Sequence, residues 1–203
     1  MQTLQPSVTR QLILASSSPY RRALLERLQL PFTVCVPGID ETPRHDETPA
    51  QTALRLAQEK ARAVARSAPD ALIIGSDQVA TLDGLQIGKP GHHAAALAQL
   101  QLMRGRDVEF HTALCLLDSA SGALQSADVI THVTFRDLPD AELDAYLRTE
   151  QPYDVAGSAK SETLGIALLA SMRSDDPTAL VGLPLITLTG MLRHAGVTLF
   201  PGL

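Results

Sequence analysis

The chain has 203 residues, 45% of them apolar, with 17 Lys and Arg against 22 Asp and Glu, a formal net charge of −5. This apolar content excludes a disordered polypeptide, and the length supports one substantial core, as a single domain or as two lobes around a cleft. The acidic balance excludes a general binder of polymeric nucleic acid or of acidic membrane, both of which need a basic face, so local clusters of cations stand out.

Residues 1–11 read as a polar N-terminal extension without an apolar signal core, ahead of a single domain over 12–203. The apolar run Leu12-Ile13-Leu14-Ala15 predicts a strand, and the turn Ser16-Ser17-Ser18-Pro19 leads into a helix over 19–30 with leucines at 24, 25 and 28 on one face. Arg21 and Arg22 fall in the first turn of that helix, the end that already carries partial positive charge and unpaired N–H groups. A bound anion reverses the sign of that placement. The amides and hydroxyls around Ser16 and Ser18, Pro19 at the first helical position and two fork-shaped guanidinium groups therefore describe a phosphate site. The bland alternative is that the arginines are solvated or pair with Glu26 one turn on.

A short strand is expected over 32–36, and Pro37-Gly38 then turns the chain into an acidic, proline-broken loop over 40–47. Asp40 and Glu41 there are hard oxygen donors of the kind magnesium or manganese takes beside phosphates. Thr48 is placed to cap a helix over 49–66, whose apolar positions are Ala53, Leu56, Ala57, Ala61 and Val64; Lys60 in its body has an ordinary exposed-helix explanation.

Ala71-Leu72-Ile73-Ile74-Gly75 reads as a buried strand that stops before the polar triplet Ser76-Asp77-Gln78. Asp77, expected at the strand end, is the sharpest catalytic candidate, because open α/β sheets present ligand-binding groups there. A carboxylate so placed can bind a divalent metal or orient a water as general base; the alternative is an Asp that caps a turn. Residues 79–82 and 85–87 around Asp83-Gly84 predict a hairpin closed by Gly88-Lys89-Pro90, a constrained turn that positions the Lys89 cation. Helix over 93–103, strands over 108–117 and 129–135, helix over 139–147, a Gly-Ser-Ala-Lys-Ser-Glu loop and a helix over 185–194 follow. Alternating helices and strands early, with hairpins in the middle, predict an α/β fold with a mixed sheet.

Cys35 and Cys115 lie in apolar stretches without metal-ligand spacing and read as buried thiols of a reducing cytoplasm. The most apolar late segment, 179–191, is interrupted by Gly182 and Pro184 and does not read as a membrane span. The six histidines form no nucleophile-base pattern, and neither a Walker glycine-lysine loop nor a dinucleotide glycine fingerprint is present.

In order, Ser16-Ser17-Ser18-Pro19-Tyr20-Arg21-Arg22, Asp40-Glu41, the Lys60 helix, Gly75-Ser76-Asp77-Gln78, Gly88-Lys89-Pro90 and Ala156-Gly157-Ser158 closely resemble the Maf family of nucleoside triphosphate pyrophosphatases. The resemblance implies an elongated, twisted mixed sheet flanked by helices with a deep nucleotide-binding cleft, as in Maf and ITPase-like proteins. It also implies a divalent cation (Mg2+, Mn2+ or Co2+), a cytoplasmic location, and hydrolysis of a nucleoside triphosphate to monophosphate and diphosphate. Carried onto this chain, Asp77 is the catalytic residue and, with Glu41, the metal ligand; Ser16, Ser18, Arg21, Arg22, Lys60 and Lys89 hold phosphates. Tyr20, Gln78 and Glu162 stand at specificity positions and look most like the branch acting on 7-methyl-GTP, whose other members carry tryptophan at the position of Tyr20. Methylation at N7 makes guanine cationic, so the Tyr20 ring gains a cation–π contribution of ~0.5 to 2 kcal/mol and Glu162 offsets the charge. The alternatives are the family branch acting on dTTP and UTP, and a nucleotide-binding regulator of cell division without turnover. A homodimer is compatible with the sequence.

Overall fold

The computed structural model describes residues 10–200. Among these residues its mixed sheet has seven strands, six of them in one path and the seventh paired to the third alone. The order is β2 (Thr33–Cys35), β1 (Gln11–Ala15), β3 (Ala71–Leu82), β5 (Asp107–Asp118), β6 (Leu124–Phe135), β7 (Leu169–Arg173), with β4 (Leu85–Ile87) on β3. Strands β1, β2 and β3 are parallel. The short β4, β5, β6 and β7 continue antiparallel. Helices α1 (Pro19–Glu26), α2 (Pro49–Ala65), α3 (His93–Met103), α4 (Asp140–Glu150) and α5 (Leu185–His194) cover the faces. This is the mixed α/β architecture expected.

Most of the expected N-terminal extension lies outside the described residues, but Arg10 and Gln11 belong to the fold. Arg10 pairs with Asp70 at 2.8 Å and Asp118 at 2.5 Å, and Gln11 opens β1. The first helix stops at Glu26 rather than at residue 30, where Gln29 takes a left-handed φ of 54° and ends the helical run. β6 begins at Leu124, five residues before the expected start, because the polar stretch 125–128 is held in register against Leu116, Cys115, Leu114 and Ala113. β7 was not expected from its sequence; it is the edge strand beyond β6, and four of its five residues are exposed.

The largest departure is β3. The polar triplet does not end the strand: pairing to β5 is unbroken from Leu72 to Thr81, and Asp77 stands opposite Ala113 in mid-strand. It is β1 that ends, at Ala15 opposite Gly75, and the pairing to β4 is taken up only from Ala80, opposite Ile87. Residues 76–79 therefore have a ladder partner on one side only, and the gap on the other side is the mouth of a cleft. The expected ligand-binding location is reached by the end of the neighbouring strand rather than of β3 itself.

Alternation along β3 separates two environments. Ile73, Gly75, Asp77 and Val79 face α2, where Ala53, Ala57, Ala61 and Val64 complete a core with Ile13, Ala15, Ala113 and Cys115. The opposite face reads Leu72, Ile74, Ser76, Gln78, Ala80, Leu82, apolar at both ends and polar at the centre. Leu72 and Ile74 join α1 and α5 in one core, and Ala80 and Leu82 join α3 and α4 in another. The polar centre is the seam between them.

Among the described residues no helix is long and apolar enough to cross a membrane. Cys115 is buried, which pushes its thiol up to about 12, whereas Cys35 is partly exposed rather than buried as expected.

Candidate active site

Gly75 determines how close α2 lies to the sheet. A Cβ at this position would sit 2.0 Å from the carbonyl oxygen of Ala57, so only glycine permits the approach. That approach brings Lys60, one turn along α2, onto Asp77, two residues along β3. The Lys60 ammonium is 2.7 Å from Asp77 Oδ1 and 2.9 Å from Glu41 Oε1, with 5% of the side chain exposed. The exposed-helix reading of Lys60 is therefore corrected. Its position falls within the apolar stripe of α2, and burial is possible because two carboxylates neutralise and hydrogen-bond the ammonium.

The cleft has a volume of about 690 Å³, within the range of small-molecule sites. Ser16, Ser18, Tyr20, Arg21, Glu41, Lys60, Asp77, Gln78 and Lys89 all line it. Asp77 is nearly buried, and its Oδ2 accepts from no group among the described residues while remaining open to the cleft. Burial, the largest influence on Glu41, pushes its carboxyl upward. The hydrogen bond from Lys60 and the charges of Lys60, Lys89 and Arg21 outweigh it, so Glu41 titrates below its ordinary value and is ionised at neutral pH.

Arg21 enters the cleft from α1. Its Nε donates to the Gly182 carbonyl at 2.8 Å, and no carboxylate among the described residues forms an ion pair with it. Burial lowers its pKa, against the opposing charges of Asp77 and Glu41. Lys89, exposed on the loop after β4, is likewise without an ion pair among the described residues. Two cations thus face a cleft whose carboxylates are already engaged by a third. Arg22 is not brought to the cleft. The helical rotation of about 100° per residue turns it outward, where its Nε pairs with Glu26 at 3.0 Å.

The turn before α1 also differs in detail from expectation. Ser18 Oγ accepts from the Arg21 N–H at 3.3 Å, the Ser18 N–H donates to Ser16 Oγ at 3.1 Å, and the Ser16 N–H donates to Leu14 at 3.1 Å. The amides left without a protein acceptor among the described residues are those of Ser17 and Tyr20. Asp40 does not face the cleft; its Oδ1 accepts from the Thr42 N–H and hydroxyl and shapes its own loop.

Sequence reasoning missed the segment 176–184, which supplies the floor of the cleft. Asp176, 2% exposed, accepts from the first amides of α5, Ile186 at 2.7 Å and Thr187 at 3.3 Å, and so anchors the segment. The Gly182 carbonyl accepts from Arg21 and, at 2.9 Å, from Ser76 Oγ. The carbonyls of Ala179 and Leu180 accept from Gln78 Nε2 at 3.1 and 2.9 Å, as does Thr112 Oγ1 at 3.0 Å. Two carbonyls on one side of the amide require its NH2 there, so Gln78 presents its oxygen to the open side. The readable signal for this segment was Asp176-Pro177-Thr178 shortly before an apolar helix.

Tyr20, Gln78 and Glu162 are brought together at one end, where they line a smaller cavity of about 30 Å³ adjoining the cleft. The Tyr20 hydroxyl lies 3.3 Å from Asp154 Oδ2.

As for a divalent cation, Glu41 and Asp77 offer hard oxygens that already converge on one positive charge, and no third His, Cys, Asp or Glu joins them to form a protein-only cage among the described residues. One or two carboxylates completed by substrate phosphates and water is the donor set Mg2+ uses, so the residues fit.

The Maf-like protein family model matches residues 11–195. Proteins named 7-methyl-GTP pyrophosphatase are similar over nearly the whole chain. That of Burkholderia pseudomallei strain 1710b is 73% identical over 192 residues, covering 93% of this chain and 89% of the relative. That of Paraburkholderia xenovorans is 71% identical, covering 93% of each, and that of Cupriavidus metallidurans is 69% identical, covering 93% and 95%. Among solved structures, the Staphylococcus aureus Ham1 protein aligns with a TM-score of 0.46 at 14% identity, over 63% of this chain and 73% of that one. By the extent of the family match and by these identities, the chain belongs to the Maf-like protein family.

Proposed function

We propose that the protein is a nucleoside triphosphate pyrophosphatase that hydrolyses 7-methyl-GTP to 7-methyl-GMP and diphosphate. The observation that carries the reading is the opposition, within one cleft, of Arg21 and Lys89, cations without an ion pair among the described residues, to the Glu41–Lys60–Asp77 cluster. A triphosphate pairs with the cations, and the carboxylate half supplies the group that activates water against it. The names and identities of the relatives support the same substrate.

In this reading Arg21, Lys89, the amides of Ser17 and Tyr20 and the hydroxyls of Ser16 and Ser18 hold the triphosphate. Asp77 Oδ2 orients a water and takes its proton as it attacks the α-phosphorus, while the Lys60 hydrogen bond at Oδ1 fixes the rotamer of the carboxylate. Diphosphate leaves with its charge offset by Arg21 and Lys89. A divalent cation held by Glu41 and Asp77 would supply Lewis-acid neutralisation of the phosphate oxygens. No covalent nucleophile is needed. At the base end, Gln78 Oε1 and the Glu162 carboxylate are acceptors suited to the N–H groups of guanine, and Tyr20 offers a π face to the positive charge of the methylated ring.

The test is diphosphate release from 7-methyl-GTP, GTP, dTTP, UTP and CTP at matched concentration, with and without Mg2+. Metal-dependent release selective for 7-methyl-GTP is the expected result. Preference for dTTP and UTP would overturn the base assignment, and nucleotide binding without release would overturn the catalytic one.

A further inference from the structure

Tyr20 and Gln78 also line the main cleft, and beyond them the recess that Glu162 lines narrows to about 30 Å³. The cation beside the Tyr20 ring in this recess is Lys160. Its ammonium lies 5.6 Å from the centre of the Tyr20 ring and 3.5 Å from Asp154 Oδ1, and only 14% of the side chain is exposed. Lys160 lines the same cavity as Glu162. A protein cation thus occupies the aromatic face and the acidic surroundings that the proposed reading gives to a cationic base.

Its backbone is fixed. The Lys160 N–H donates to the Tyr146 hydroxyl at 3.2 Å, and a Cβ at Gly165 would lie 2.5 Å from the Lys160 nitrogen and carbonyl oxygen, so the two segments are in close contact. The side chain, by contrast, is a four-carbon stem with free rotors, held by the ring and hydroxyl of Tyr20 and by one long ion pair to a carboxylate that is 60% exposed. Rotation of that stem opens the cavity without moving the loop.

We propose that Lys160 is a base-site residue that holds the Tyr20 face as a cationic stand-in and is displaced by the base. The inference rests on the nucleotide reading above. A base carrying its own positive charge restores the cation–π contact and the charge between Asp154 and Glu162 when the ammonium leaves, whereas a neutral base restores neither. Competition with the ammonium weakens binding of every nucleotide equally, and the methylated base alone offsets that loss with a cation–π contact of its own.

The test is amine acetylation of the native protein, read by mass spectrometry at Lys160 and Lys89, with and without α,β-methylene 7-methyl-GTP. Expected is a rise in Lys160 labelling as the side chain is expelled, together with a fall at Lys89 as the phosphates cover it. A fall at Lys89 with Lys160 unchanged or more protected would overturn the displacement while leaving the nucleotide reading intact. No change at either lysine would overturn both. As a second measurement, Lys160→Ala is expected to lower KM for 7-methyl-GTP about 2- to 5-fold, the equivalent of a partly exposed cation–π contact, with kcat unchanged. Lys160→Arg, which keeps a cation over the ring, is expected to retain the wild-type KM. A higher KM in the alanine variant would assign Lys160 to holding the base instead.

Discussion

Lys60 and Asp77, 17 residues apart in sequence, meet at 2.7 Å in the cleft, and the hydrogen bond leaves one carboxylate oxygen free to face substrate. The ammonium therefore fixes the carboxylate without consuming it. Asp77→Asn retains the shape and one oxygen, and Glu41 continues to neutralise Lys60, so the fold is expected to persist. Diphosphate release is expected to fall by about 10²-fold or more, the scale of a lost general base. Circular dichroism and steady-state turnover check the two halves; a folded variant with unchanged turnover removes Asp77 from the chemistry.

The two adjacent arginines separate by their contacts. Arg21→Ala removes a charged donor aimed into the cleft, and KM for the triphosphate is expected to rise about 10- to 100-fold, the range of a charge-assisted hydrogen bond. Arg22→Ala breaks only an exposed i,i+4 pair with Glu26, worth about 0.3 to 0.5 kcal/mol, and is expected to leave KM within about twofold. Steady-state kinetics on both variants decides the matter, and equal losses would show that Arg22 swings inward with substrate.

Much of this site was readable from residue patterns, and the exceptions have physical reasons. Strand and helix identities follow from apolar periodicity, which reports burial directly. The extent of β3 does not, since a polar triplet continues a strand wherever nearby groups satisfy it, here Lys60 for Asp77 and the carbonyls of 179, 180 and 182 for Gln78 and Ser76. The carbonyl partners lie about 100 residues away and leave no local trace. Lys60 did leave one: Ala53, Leu56, Ala57, Lys60, Ala61 and Val64 form a single stripe, and a lysine inside such a stripe implies a buried carboxylate partner. That Tyr20 carries a protein cation is a matter of side-chain placement that no spacing encodes.

Glu162 tests base recognition separately from chemistry. It lines the small cavity with Tyr20 and Gln78, and Glu162→Gln keeps its size while removing the charge. The kcat/KM preference for 7-methyl-GTP over GTP is expected to shrink by about 5- to 10-fold, corresponding to about 1 to 1.4 kcal/mol of charge compensation, with kcat little changed. Equal losses on both nucleotides would count against readout of the charged base.

The loop that carries Glu41 is tied to α2 by Glu47 and Arg55. Arg55 Nε lies 2.5 Å from Glu47 Oε1, and Arg55 Nη2 donates to the Thr42 carbonyl at 3.2 Å, one residue past Glu41. The Arg55 hydrogen bond, outweighing desolvation, lowers the Glu47 carboxyl from 4.5 to about 2. Because the folded value lies below the unfolded one, the stabilisation is complete above the unfolded value and is lost as pH falls toward the folded one. Urea titrations of the wild type and Glu47→Gln at neutral pH, and stepwise down through that window, are expected to show the variant less stable at neutral pH and the difference vanishing in acid. The same variant is expected to raise the Mg2+ concentration needed for half-maximal turnover, because Glu41 loses the support that holds it beside Lys60. A variant matching the wild type in both respects would mean that the loop holds Glu41 in place without this pair.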